Sequence, residues 1–181
     1  MGLHEKIVEL LPEIDDIEDN TLRERVIATW IAATRRGGWN ESDLESIPIA
    51  LSAEGQLPCD LVTYTRAVTR TGMAIAKALD ESFGEGIEID GQLVIAASLL
   101  HAVGRLLGWE HDEQGKIVQS RGGKLLRYPV SGVVLAGELG VPDEILHIIA
   151  GHAEEGDLVP RTLEGLIVHH AERVNFERFH T

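Results

Sequence analysis

The chain has 181 residues, 44% hydrophobic and 25% charged, which suits one globular domain with a sizeable core. A formal net charge of -14 excludes a general nucleic-acid or anionic-membrane surface, because both require a basic footprint. The single cysteine, Cys59, excludes an internal disulfide framework and suits a reducing cytoplasm.

Residues 3–13 read as a first helix, with Ile7, Val8, Leu10 and Leu11 apolar among Glu5, Lys6 and Glu9. A helix that begins there leaves no room for a cleaved leader, so a cytoplasmic protein is expected. Thr21 and Glu24 stand in capping-box spacing. A second helix runs from there to Arg36, where Gly37-Gly38 stops it. Ser42-Asp43-Leu44-Glu45 starts a short third helix ended by Pro48, which completes an N-terminal group over residues 3–47. Residues 48–59 read as a loop, punctuated by Gly55 and Pro58.

Asp60 caps a long helix to about Ser82. Gly84-Glu85-Gly86 then turns the chain into its most apolar stretch, Val94 to Leu107, with Asp90-Gly91 before it and Gly108 after. At roughly 14 residues it falls short of the roughly 20 that cross a bilayer, so a buried core helix is expected and no membrane span. His101 lies at its centre. Burying an imidazole costs free energy unless a partner or a metal satisfies its ring nitrogens.

Gly115 turns a short hairpin near 109–120, with Ile117 and Val118 on the return strand. Ser120-Arg121-Gly122-Gly123-Lys124 reads as a flexible basic turn. Pro129 suits the first turn of a helix that reaches Leu139 and is closed by Gly140. Pro142-Asp143-Glu144 opens the next helix, which ends near Gly151-His152 or Gly156. Thr162-Leu163-Glu164 opens the last, to about Phe176. Short connections between amphipathic helices predict a single all-α bundle with its core over residues 60–176.

Leu99-Leu100-His101-Ala102-Val103-Gly104-Arg105 resembles the signature helix of the HD-domain superfamily of metal-dependent phosphohydrolases. That helix reads Leu-Leu-His-Asp-(Ile/Val)-Gly-Lys. His101 keeps the His, Ala102 replaces the Asp, and Arg105 stands where the family has Lys. Tyr64-Thr65-Arg66-Ala67-Val68-Thr69 resembles a His-Thr-Arg-Ala-Val-Thr segment, with Tyr64 at the first ligand position. Gly123 to Gly132 resembles Gly-Lys-Leu-Leu-Arg-His-Pro-Val-x-Gly, with Tyr128 at the His. His152 matches another family His, and Glu172 stands where the closing Asp ligand is normally found. The resemblance implies an HD-like helical fold and a divalent-metal site of which His101, His152 and Glu172 remain.

Imidazole and carboxylate donors suit Mn, Fe, Co, Ni or Zn. Without the carboxylate at position 102 a two-metal site loses its bridge, so the resemblance leaves one divalent metal or none. Tyr64 and Tyr128 offer phenols that can hydrogen-bond each other or His101 and fill the metal cavity. For an anion, Arg66 and Arg70 sit one turn apart, and Arg105 follows His101 by one turn. Arg121, Lys124 and Arg127 cluster about a Gly-Gly turn. These residues, or their pairing with the many Asp and Glu, are equally open readings.

Two functions follow. One is a non-catalytic or strongly altered member that binds a small phosphorylated molecule, or pairs as a homodimer or with an active homologue. The other is a hydrolase acting on a phosphate ester or nucleotide, with a reduced site at His101, His152 and Glu172 or an acid/base set of His101, Arg105, Tyr64 and Tyr128.

Overall fold

A computed structural model of the chain describes residues 2–52 and 55–179. The architecture is the all-α bundle expected from the periodicity. Helices α1 (Leu3–Leu10) and α2 (Asn20–Arg36) form an N-terminal pair. The long α3 (Leu61–Phe83), the apolar α4 (Gly91–Leu100) and the C-terminal α9 (Leu163–Glu177) pack on one another as its centre. The four-residue α5 (Arg105–Gly108), the short α6 (Arg121–Leu125), α7 (Tyr128–Glu138) and α8 (Asp143–Gly151) close the far side. Strands β1 (Leu51–Ser52) and β2 (Gly55–Gln56) pair antiparallel within the segment read as loop; residues 53 and 54 of that segment lie outside the described residues. The hairpin expected near 109–120 is β3 (Trp109–His111) against β4 (Ile117–Gln119), with Glu110 opposite Val118.

Several expected boundaries move for identifiable reasons. The first helix ends at Leu10 instead of residue 13, and a 3-10 turn over Pro12–Asp16 follows, since proline lacks the N–H needed to continue. Asp19, not Thr21, caps α2, accepting from Leu22 N at 2.8 Å. The short helix expected at Ser42 is a series of turns, held by Asp43 Oδ2 accepting from Asn40 N. Residues 120–124 are not a flexible turn: Ser120 Oγ accepts from Gly123 N at 2.9 Å and caps α6.

The most consequential difference is in the apolar stretch. It is not one helix from 94 to 107 but two, α4 and α5, separated by turns at 101–104. Within the break Val103 N bonds Leu100 O, and Arg105 N bonds Ala102 O, a tighter i to i+3 pattern. Leu99 O, which a continuing helix would bond to Val103 N, accepts the indole N–H of Trp30 at 3.0 Å. Trp39 Nε1 takes Leu106 O at 2.7 Å. Close approach to α7 explains where the break falls: a Cβ on Gly104 would lie 2.1 Å from Tyr128 O. By length and composition Gly91–Gly108 does match a membrane span, contrary to the length argument from sequence. Two-thirds of it, however, is buried against other helices of the bundle.

Candidate functional site

His101 and His152 each sit at the end of a helix, α4 and α8, and both are fully buried. The two rings use one local device. His101 Nδ1 donates to Ser98 O at 2.6 Å and His152 Nδ1 to Ile149 O at 2.8 Å, three residues back in each case. A carbonyl only accepts, so these contacts place the proton on Nδ1 and leave a lone pair on Nε2. The rings meet edge to face, with centroids 5.1 Å apart, and the Nε2 lone pairs belong to one buried space.

The two tyrosines occupy that space. Tyr64, fully buried on α3, donates to Glu172 Oε1 on α9 at 2.9 Å. Tyr128, at the first position of α7, donates to His152 Nε2 at 3.2 Å. The phenols therefore bond neither each other nor His101, against one expectation from sequence. They bond two of the three side chains left from the ligand set. Ala102 is buried and offers no donor atom. Among the described residues His101 Nε2 has no hydrogen-bond partner.

Burial dominates the electrostatics here. It holds the His101 ring down at about 4 and the His152 ring well below its ordinary range. It also pushes both phenols up. Burial raises the Glu172 carboxyl as well, opposed by the hydrogen bond from Tyr64. The buried constellation is thus neutral imidazole and neutral phenol at ordinary pH. Its one cation is Arg105, 9% exposed, whose guanidinium lies 3.8 Å above the Tyr128 ring while Nη1 donates to Ile49 O.

An implied divalent metal does not fit these residues. The Nε2 of His152 and the Oε1 of Glu172 are committed to phenols, and position 102 supplies nothing. Among the described residues no three His, Cys, Asp or Glu side chains are grouped to hold a metal ion.

A cavity of about 320 Å³ opens beside the constellation, lined by Arg105, Tyr128, His169, Glu172 and Arg173 among others. Of the basic residues expected near an anion, Arg105 and Arg127 line it. Arg66 and Arg70 instead pair with the buried Glu13, at 3.2 and 2.7 Å. Arg121 and Lys124 are exposed on α6 and do not line it. His111 meets Trp39 edge to face with centroids 4.9 Å apart, and Asp112 accepts two backbone N–H groups of the hairpin turn, so neither serves the cavity. Of the adjacent His169 and His170, one of which the sequence allows to face the site, His169 lines the cavity. Its Nδ1 bonds His152 O at 2.6 Å, and its only sequence signal is a position three residues, nearly one helical turn, before Glu172.

The family model described as HD domain matches residues 65–176, well over half of the chain. No curated protein and no solved structure matches it.

Proposed function

The chain belongs to the HD-domain family, whose members are metal-dependent phosphohydrolase-like, and from that premise we propose that it is a non-catalytic or strongly altered member. It binds a small phosphorylated molecule in the family pocket without a metal centre. The observation that carries this reading is the pair of hydrogen bonds from Tyr64 to Glu172 and from Tyr128 to His152. A metal displacing either phenol has to break a buried hydrogen bond, and it gains no bridging carboxylate in return. Arg105 supplies the charge that attracts a phosphoryl group, through the N–H groups not engaged by Ile49 O.

One observation favours the second reading, a hydrolase with a mononuclear site at His101, His152 and Glu172. The Nε2 lone pair of His101 is buried and unpartnered, the state of an imidazole awaiting a ligand.

Elemental analysis separates the two. The protein is purified with Mn, Fe, Co, Ni or Zn supplied, then mildly chelated. The proposal expects metal well below one equivalent. Near-stoichiometric metal that disappears on His101→Ala or His152→Ala would overturn it in favour of the mononuclear hydrolase.

A further inference from the structure

Arg105 differs from every other guanidinium near the pocket. Arg127 is paired with Glu154 and Glu155, at 3.3 and 2.7 Å, and Arg173 with Glu177. Arg105 is buried, its Nε has no hydrogen-bond partner, and among the described residues no carboxylate forms an ion pair with it. Glu172, which lines the same pocket, is its electrostatic complement, but no direct ion pair neutralises the guanidinium, so an anionic group brought to it relieves part of the cost of its burial.

Two cavities meet at this side chain. Both are lined by Arg105, Arg127, Tyr128 and Phe176. They differ in character. Glu154, Glu172 and Glu177 all line the first, whereas the second has no acidic lining residue. The second is bounded instead by Trp109, Leu126, Phe176 and a backbone wall where Gly123 meets Gly108. A Cβ on Gly123 would lie 2.3 Å from Gly108 O, so no side chain can narrow that wall. Its volume is about 260 Å³. An apolar cavity of about 150 Å³ already holds a benzene ring.

Resting on the phosphorylated-ligand reading above, we propose that the ligand is a phosphate monoester with a small aromatic or apolar body. The phosphoryl group docks on Arg105, and the body lies in the second cavity between Trp109, Leu126 and Phe176. Arg127 and Arg173 are already paired with carboxylates, which leaves Arg105 as the lining guanidinium open to a phosphoryl group, so one such group is accepted. An apolar body gains from leaving water against Leu126, which is 50% exposed in the free protein.

The full-length protein, in chelator, is titrated by calorimetry with phenyl phosphate, glycerol phosphate and inorganic phosphate. Phenyl phosphate is expected to bind at least about tenfold tighter than either other probe. Leu126→Ser changes an exposed side chain, so its melting temperature should match wild type. It should reduce the phenyl preference to about threefold or less and leave inorganic phosphate affinity unchanged. Equal affinities for phenyl and glycerol phosphate overturn the apolar-body inference and leave the phosphorylated-ligand reading standing. A phenyl preference that survives Leu126→Ser overturns the assignment to the second cavity. No binding by any of the three probes overturns both.

Discussion

His101 is held neutral by position, not by chemistry peculiar to imidazole. Its Nδ1 proton is spent on Ser98 O, its ring is out of water, and any proton added at Nε2 would be a buried charge beside Arg105. The consequence is a pH dependence of defined sign. The unfolded ring titrates near its ordinary 6.5 and the folded ring at about 4, so between those values the unfolded chain binds a proton that the folded chain does not. The contribution is intact above pH 6.5 and is lost as pH falls toward 4, by on the order of 3 kcal/mol for this ring. His152 acts in the same direction. Glu172 acts in the opposite one, because its raised carboxyl costs stability as pH rises. Urea midpoints of wild type and His101→Gln, measured from about pH 4.5 to about 7.5, separate the terms. The wild type should lose more stability on acidification than the variant, and parallel curves would show that His101 is not held neutral. Much of this site was legible from residue types alone: an imidazole on an apolar stretch demands partners, and two phenols at ligand positions suggest a filled cavity. Which atom each phenol bonds was not legible. Tyr64 and Glu172 are 108 residues apart, and only the packing of α3 on α9 brings them together.

At the scale of elements, the break between α4 and α5 organises the site. It ends a helix at His101, points Arg105 along α5 toward Tyr128, and frees Leu99 O for the indole of Trp30. Hydrophobic pattern could not reveal it, because Ser98, His101 and Arg105 keep i, i+3, i+7 spacing straight through the break, as one continuous helix would. The signal was Gly104, read in the sequence only as part of a motif. Its role is a close approach between backbones, with Tyr128 O and Gly132 N each within 3 Å of where a Cβ would stand. Gly104→Ala is therefore expected to destabilise the fold by about 3 kcal/mol or more, since the atoms in the way are backbone. Gly91→Ala, at the first residue of α4 with open space around it, should be neutral or stabilise by about 0.5 kcal/mol. Denaturant midpoints of the two variants test this directly, and equal effects would mean that the approach of Gly104 to α7 is not tight. Helix ends elsewhere were legible where a cap chose them, as at Asp60, Asp90 and Thr162. They were misjudged where a nearer cap competed, as Asp19 did with Thr21.

For the whole molecule, the net charge of -14 and the uncommitted metal are one question, because an acidic surface draws divalent cations whether or not a site exists. Several ion pairs have both side chains exposed, among them Arg36–Glu138, Lys77–Glu81 and Arg173–Glu177, and such pairs contribute little. Self-repulsion therefore outweighs them, and added salt should raise the melting temperature by screening it. A resident metal behaves differently: it binds the folded state alone and stabilises it by about 4 kcal/mol at a thousandfold excess over Kd. Because His152 and Glu172 are committed to phenols, no such increment is expected. Melting temperatures in chelator, in sodium chloride and in manganese chloride at matched ionic strength should rise together for the two salts, with nothing lost on chelation alone. A drop in chelator that manganese restores, and sodium at the same ionic strength does not, would mean that a metal displaces Tyr64 or Tyr128, and the pocket would then have to be read as a metal centre.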